Sequence, residues 1–180
     1  YAPADGIMKD SPTVAEYRYD GSVINATKAR ALRYALTGEK LYGYQAIYAM
    51  KNYLKTLDIV YLAGDQYRQY GHVMFATACV YDWCYDVMTD GDRAQIVAGV
   101  MTRLASGFEV GFPPYGQGAI TGHGSEAQMF RDWLSFAIAT YDEYPDIFDF
   151  VAGRLESDFV PVRNYYYRSG AHHQGNSYGH

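Results

Sequence analysis

The sequence predicts an all-α fold in which antiparallel helix pairs form part of an (α/α) toroid. Apolar residues recur at the 3.6-residue spacing of helices through most of residues 25–160, and neither half of the chain is rich in strand patterns. Short segments with capping residues, glycine or proline separate the helical runs. Long loops gathered at one end of paired helices suit a toroid with a cleft, whereas a plain bundle has less reason for them, so we favour the toroid.

The first two predicted helices cover residues 26–37 and 39–57. Asn25 is the predicted N-cap of the first helix, and Gly38 stands where a left-handed residue is expected to end it. The apolar residues of the second helix lie close to one stripe, which predicts packing beside the first helix. That stripe consists of Leu41, Tyr44, Ile47, Tyr48, Met50, Leu54 and Leu57.

The third predicted helix, residues 66–88, is apolar over most of its circumference. This composition predicts a central helix that is buried on several sides. Cys79 and Cys84 are five residues apart on it, so their side chains point in different directions, and we expect two buried thiols rather than a disulfide. His72 is interpreted as a core histidine with its hydrogen bonds satisfied.

Two further helices follow in the second half of the chain. Thr89 and Asp92 approximate a capping box at the start of the fourth helix, which is expected to end near Gly107. Residues 112–118 are a loop by composition, with two prolines and two glycines. This loop leads to a fifth, amphipathic helix over residues 127–141.

The sixth helix is predicted from Pro145, which suits a first turn, to about Asp158. Pro161 is then expected to interrupt the helix and leave an irregular segment. Residues 1–180 are interpreted as one partial toroid domain with an N-terminal lead-in at 1–24. We expect the chain to be a piece of a longer protein, truncated before a further domain.

The composition narrows the classes of ligand. The formal net charge of -5 argues against sequence-independent binding to nucleic acid, and no apolar run approaches the roughly 18 residues of a membrane span. Tyrosine is unusually frequent, with 20 residues, and its flat amphipathic ring can stack on sugars while its hydroxyl forms hydrogen bonds. We therefore expect a carbohydrate ligand and neither a nucleic-acid nor a membrane partner.

Two segments, residues 121–126 and 169–180, contain four of the five histidines. The chain has no Asp or Glu after Asp158, so its last stretch is locally cationic and suits an anionic ligand. His123 and Glu126 are three residues apart and share one face if the helix has begun, although Glu126 could instead cap the helix start. No second pair with this spacing exists, so we expect no metal site in this chain.

Tyr178 is a candidate proton-transfer residue. Its phenol has an ordinary pKa near 10, so it can act as a base only where positive charge favours the phenolate, and nearby Arg and His residues can supply that charge. The neighbouring donors suit sulfate, carboxylate or hydroxyl groups, or else they hold the loop backbone in place. These donors are His172, His173, Gln174 and Asn176.

Three segments together resemble the heparinase II and III polysaccharide lyases, and heparinase II most closely. They are residues 78–86 (Ala-Cys-Val-Tyr-Asp-Trp-Cys-Tyr-Asp), residues 122–126 (Gly-His-Gly-Ser-Glu) and the run 165–178 that ends at Tyr178. The His-x-x-Glu element and the tyrosine, 178 − 123 = 55 positions later, are the specific part. The resemblance implies a helical toroid followed by a β-sandwich domain that carries a structural zinc, in a periplasmic or secreted protein. Oligomeric state stays open, with a homodimer among the alternatives.

The resemblance also implies a reaction, namely β-elimination at a uronic acid of a heparin-like or heparan-sulfate-like polysaccharide. Tyr178 matches the family tyrosine that serves as base, acid or both, and His123 matches the histidine near the same carbon. Glu126 matches a carboxyl that must be protonated or hydrogen-bonded to approach an anionic sugar, so its pKa is expected to be raised. A further family histidine lies beyond Tyr178, so this segment alone is expected to be an incomplete enzyme.

Two other functions remain open from the sequence. A glycoside hydrolase with an α/α barrel needs two carboxyl groups, for which Glu126 could pair with Asp132 or Asp142. The lack of any acid after Asp158 disfavours that reading. A non-catalytic carbohydrate-binding helical domain needs only the aromatic surface, and would leave the cluster of His, Glu and Tyr without a role.

Overall fold

A computed structural model of the chain describes residues 19–57, 67–105 and 127–170. The described residues are helical and contain no β-strand, which confirms the all-α class. The α-helices are α1 (Gly21–Thr37), α2 (Lys40–Thr56), α3 (Tyr67–Trp83), α4 (Asp90–Arg103), α5 (Leu134–Ala139), α6 (Pro145–Arg154) and α7 (Val160–Tyr167). A π-helix, Ala127–Trp133, leads directly into α5, a second one, Leu155–Phe159, joins α6 to α7, and a 3-10 turn, Tyr85–Val87, follows α3.

The helices α1, α3 and the Ala127–Ala139 helix begin at the same end of the molecule. Tyr19 and Asn25, at the start of α1, both hydrogen-bond His72 near the start of α3. Gly71, in the same turn of α3, lies against the carboxyl of Asp132 in the π-helix. We call this end of the three helices the starting end.

The same three helices also finish together. Tyr34 near the end of α1 donates to the carboxylate of Asp86, 2.7 Å away and just beyond α3. Tyr81 near the end of α3 donates to Glu143, which follows α5. The three helices therefore run parallel to one another, as neighbours in one layer.

Each helix of this parallel layer is followed by an antiparallel partner. The helices α2 and α4 pack against each other in a second layer, where Lys51 pairs with Asp92 and a Cβ at Gly99 would be 3.0 Å from Leu54 Cβ. The helix α6 folds back on the third parallel helix, with the Phe150 ring 6.0 Å from that of Trp133. The described chain is thus a series of three helical hairpins.

Connection length differs between the two ends. At the finishing end the chain passes from α1 to α2 through only Gly38 and Glu39, and from α3 to α4 through residues 84–89. At the starting end, residues 57–66 separate α2 from α3, and residues 104–126 separate α4 from the Ala127–Trp133 π-helix. The long connections therefore all return to the starting end.

The core lies between the layers and includes residues of α3 on several of its sides, as predicted for a central helix. Cys79 and Cys84 are buried free thiols, which confirms that expectation. The fully buried large side chains include Ile24, Met50, Leu54, Met74, Tyr81, Ile96, Leu104, Met129, Trp133 and Phe136. Within the described ranges, no helix is both long and apolar enough to cross a membrane.

The predicted N-cap of the first helix is wrong. The Asp20 carboxylate accepts hydrogen bonds from the backbone N–H groups of Ser22 and Val23, so α1 begins at Gly21 and includes Asn25. Gly38 has φ 70 and ends α1 in the left-handed conformation, as predicted. The capping box at Thr89 is also confirmed, since Thr89 and Asp92 each accept from the other's backbone N–H.

The predicted stripe of α2 is only partly right. Leu41, Tyr44 and Tyr48 are exposed, at 62%, 53% and 57%, whereas Ile47, Met50, Leu54 and Leu57 are buried. The inward face also carries Gly43, Ala46 and Ala49. These small residues allow close approach, since a Cβ at Gly43 would be 3.1 Å from Tyr34 Cγ, and the larger side chains are turned outward.

The predicted interruption at Pro161 is wrong as well. The chain continues from the Leu155–Phe159 π-helix into α7, which ends at Tyr167. Pro161 lies at the start of α7, directly after the π-helix, so its missing N–H falls where the helical hydrogen-bond pattern changes from π to α. The helix therefore tolerates this proline.

Candidate functional site

The predicted site residues lie outside the described ranges. This holds for His123, Glu126, His172, His173, Gln174, Asn176 and Tyr178. The structure does describe the helix that begins immediately after Glu126, together with the side chains that surround its first turns. A candidate site can therefore be built from the starting end of the parallel layer.

Four buried side chains hold the Ala127–Trp133 π-helix against the rest of the protein. Gln128 and Met129 are fully buried, and so are Asp132 and Trp133 one turn later. The wide turn of a π-helix places residues four to five apart on one face, and π-helical turns occur frequently at functional sites. The inward face of this segment thus fixes the direction in which the chain leaves residue 126.

Asp132 and Arg131 form an ion pair of unequal exposure. Arg131 Nε is 2.6 Å from Asp132 Oδ1, and Arg131 Nη2 is 3.2 Å from Oδ2. The Asp132 side chain is 1% exposed and that of Arg131 is 48% exposed. Burial raises the pKa of the Asp132 carboxyl to about 6, against the opposing effect of the Arg131 guanidinium.

Gly71 makes room for this carboxyl beside α3. A Cβ at position 71 would overlap Asp132 Oδ2, lie 2.7 Å from its Cγ and lie 2.9 Å from Arg131 Nη2. Real Cβ atoms do not approach other atoms this closely, so only glycine fits here without displacing the Asp132 carboxyl and the Arg131 guanidinium. Gly71 therefore sets how near α3 and the π-helix can come.

His72 is held on both sides of its ring. The Tyr19 hydroxyl lies 2.5 Å from Nδ1, and Asn25 Oδ1 lies 3.1 Å from Nε2. Because the amide oxygen can only accept, Nε2 carries the proton and Nδ1 accepts from Tyr19. Burial, followed by the charges of Lys28 and Arg131, lowers the pKa of His72, so its imidazole is neutral at pH 7.

The sequence interpretation of His72 is thus half right. Its hydrogen bonds are satisfied, but the ring is half-buried at the edge of the layer rather than in the core. The pKa of Tyr19 is raised by burial and by Asp20, so its phenol stays protonated. Tyr19, His72 and Asn25 form a neutral hydrogen-bonded chain beside the Arg131–Asp132 pair.

The starting end has the electrostatics of an anion-binding surface. Three parallel helices direct their N-terminal ends, which carry positive partial charge, toward it. Lys28 and Arg131 add full positive charges close enough to act on His72. Among the described acids at this end, Asp20 caps α1, Asp132 is buried and Asp158 pairs with Arg154, while Glu156 is exposed.

The finishing end has the opposite character. A cleft of about 640 Å³ lies between the end of α3 and the turn that links α5 to α6. Its lining includes the acidic side chains Asp82, Asp142 and Glu143 beside Tyr85 and Tyr141. An anionic polymer is disfavoured there, because the carboxylates and the helix C-terminal ends are negative.

The carboxyl pairing considered for a hydrolase gains no support from this geometry. Asp132 has almost no accessible surface and is committed to Arg131. Asp142 lies beyond the far end of the helix that starts at Ala127, more than about 15 Å along its axis. The carboxyl of Asp132 is therefore closed to a substrate, and Asp142 lies at the opposite end of this helix.

Sequence reasoning missed Tyr19, Asn25, Gly71 and Arg131. A weak signal was available, because Arg131 and Asp132 interrupt an otherwise apolar helical run. The described residues contain no group of three or more His, Cys, Asp or Glu side chains that could hold a metal ion. Comparison with known proteins found no matching family model and no matching curated protein.

Proposed function

We propose that this chain forms part of the catalytic toroid of a polysaccharide lyase that cleaves a uronic-acid-containing polysaccharide by β-elimination. One observation carries the proposal. The segment Gly-His-Gly-Ser-Glu, residues 122–126, leads directly into a helix whose start is fixed at the cationic starting end. An acidic polysaccharide matches that electrostatic character, and the resemblance to heparinase II and III supplies the reaction.

The arrangement of helices supports a toroid. In a toroid, successive hairpins contribute parallel neighbours to one layer and their return helices to another. The order α1, α3 and Ala127–Ala139, with α2, α4 and α6 as return helices, has this pattern. The longer connections join helices at the starting end, which is where a toroid of this pattern would have its cleft.

The chemistry assigns a role to each predicted residue. Tyr178, as phenolate, takes the proton from C5 of the uronic acid while Glu126 in its protonated form, with His123, stabilises the charge that develops on the carboxylate. The C5–H electron pair forms the C4–C5 double bond and expels the glycosidic oxygen from C4. That oxygen takes a proton from the tyrosine or from a histidine. Donors at His172, His173, Gln174 and Asn176 orient the sugar.

We also propose a periplasmic or secreted location, because acidic polysaccharides of this class occur outside the cytoplasm. Structural zinc is proposed only for a β-sandwich domain outside this chain. A binding module with the same aromatic surface would leave the substrate intact, and a hydrolase would produce a saturated reducing end. The product therefore separates the three functions.

The test uses the full-length protein with heparan sulfate, heparin, alginate and hyaluronan in separate assays. We expect ultraviolet absorbance from an unsaturated uronic acid to rise on at least one substrate. Tyr178→Phe should lower that rate by about 10²–10⁴-fold, the usual contribution of an acid–base group. Tyr48→Phe is the matched control, because Tyr48 is 57% exposed in the middle of α2.

Two results would contradict the proposal. A saturated reducing end would indicate hydrolysis, and binding without any cleavage would indicate a carbohydrate-binding module. Equal rates for the Tyr178→Phe and Tyr48→Phe proteins would remove Tyr178 from the mechanism while leaving the lyase activity in place.

A further inference from the structure

The Arg131 guanidinium is paired with a buried carboxyl, while about half of the Arg131 side chain faces solvent. Its Nε and Nη2 atoms contact Asp132 at 2.6 and 3.2 Å, and the side chain as a whole is 48% exposed. Arginine has five N–H donors in a planar fork, and these two contacts use one edge of it. The opposite edge is therefore oriented outward without the usual loss of side-chain freedom on binding.

The fold alone gives little reason for this pair. A buried carboxylate is costly to desolvate, and an apolar side chain of similar volume at such a position is often as stabilising or more so. The pKa of the Asp132 carboxyl is raised even though Arg131 lies beside it. The positive charge of Arg131 therefore does not fully offset the cost of burying the carboxylate. Gly71 is also needed to admit the carboxyl. A role in presenting Arg131 to a ligand explains the combination.

The surroundings of Arg131 favour an anion. Arg131 and Lys28 both act on His72 as positive charges. The Lys28 ammonium lies 5.4 Å from the centre of the Phe75 ring, which holds it on the surface of the layer. In the described ranges, Asp20 and Asp132 at the starting end are each already bonded to groups of the protein. Phe159 packs on Phe130, so Glu156 and Asp158 of the Leu155–Phe159 π-helix also lie at this end; Asp158 pairs with Arg154, and Glu156 is exposed.

We propose that Arg131, held by Asp132, forms a subsite for an anionic oxygen group of the polysaccharide, either a carboxylate or a sulfate. Lys28 contributes a second positive charge to this subsite. Arg131 follows Glu126 by five residues, so the two Cα atoms are at most about 18 Å apart. One oligosaccharide can therefore contact both. The identification of the ligand as part of a polysaccharide rests on the proposed function. The position of the anion-binding group rests on the structure alone.

The test compares Arg131→Gln with Arg33→Gln in the full-length protein. Arg33 is a suitable control because its side chain is 52% exposed and also pairs with a carboxylate, that of Glu39. Arg33 lies near the finishing end of α1, far from the starting end. We expect Arg131→Gln to raise KM about tenfold with kcat changed less than about twofold, since it removes a charge-assisted hydrogen bond made to bound substrate. Arg33→Gln should change neither constant.

A second variant separates binding from folding. Arg131→Lys keeps the charge and loses the fork, so we expect a smaller increase in KM with an unchanged melting temperature. An increase on hyaluronan and alginate as well as on heparin would identify a carboxylate as the ligand. An increase on heparin alone would identify a sulfate. A fall in kcat and melting temperature without a change in KM would overturn the subsite and leave Arg131 a structural role.

Direct binding distinguishes failure of the inference from failure of the proposed function. Calorimetric titration with heparin and with alginate requires no catalysis. If no lyase activity is found and Arg131→Gln still weakens binding about tenfold relative to Arg33→Gln, the subsite stands. If the two variants bind equally well, the subsite is wrong, whether or not the protein is a lyase.

Discussion

Asp132 is a carboxyl group in a largely apolar layer, and it connects the stability of the protein to pH. Its pKa of about 6 lies above the value of about 3.9 for an unfolded aspartic acid, because burial disfavours the charged form. The folded protein therefore keeps a proton that the unfolded chain has already released. The stability that this group contributes is fully present below about pH 4 and is lost as pH rises through 6.

Comparison with Asp132→Asn tests this dependence. Between pH 4 and pH 7 we expect wild type to lose about 2 kcal/mol of unfolding free energy relative to the variant, because asparagine cannot ionise. The measurement is urea unfolding of both proteins at four pH values across that interval. A difference that stays constant with pH would show that Asp132 titrates alike in the folded and unfolded states.

Tyr19 fixes the protonation of His72. Tyr19→Phe removes the hydroxyl that donates to Nδ1 and leaves that nitrogen free to take a proton, so the pKa of His72 should rise. The lost hydrogen bond should destabilise the protein by about 1 kcal/mol. NMR titration of the imidazole, with Tyr48→Phe as the unaffected control, gives the direction of the pKa change. A His72 pKa that is equal in all three proteins would contradict the assigned tautomer.

At the scale of elements, the contact between α3 and the Ala127–Trp133 π-helix positions the candidate site. Its geometry depends on the absence of a side chain at Gly71 and on the buried Gln128, Met129 and Trp133. A displacement of this π-helix would shift the point at which the chain leaves Glu126. The same contact should therefore govern both stability and activity.

Gly71→Ala tests that contact. The added methyl overlaps the Asp132 carboxyl, so we expect a loss of about 1–3 kcal/mol, the usual cost of overpacking, together with reduced activity. Gly153→Ala, in α6, is the control, because nothing lies within 4 Å of its new Cβ and helix propensity should raise stability by up to about 1 kcal/mol. Thermal unfolding of both variants measures the difference. Equal effects at the two glycines would show that the π-helix can shift freely.

Local signals predicted the helices well, and tertiary contacts explain where prediction failed. Gly38 and the Thr89 capping box depend on neighbouring residues alone, so the sequence displays them. The outward turn of Leu41 depends on how closely α2 approaches α1, which no local pattern shows. The meeting of Gly71 with Asp132 joins positions 61 apart, and its role was therefore not predictable.

At the scale of the whole molecule, the parallel layer separates charge between two ends. The net charge of -5 alone would suggest a protein that repels anionic polymers. Asp82, Asp142 and Glu143 line the finishing-end cleft, whereas Lys28 and Arg131 lie at the starting end. The net charge of the chain does not by itself indicate an anionic ligand, because a sum of charges does not show where they lie. The placement of the charges at the two ends favours such a ligand at the starting end.

The unequal connections give the two ends different capacities for change. The turns at the finishing end are a few residues long, and Gly38 at φ 70 shows how tightly they fix each hairpin. Residues 57–66 and 104–126 connect helices that meet at the starting end, and a longer connection costs little extra entropy. Under the proposed function, insertions in these two connections are therefore the changes that would alter sugar recognition while the helical hairpins stay the same.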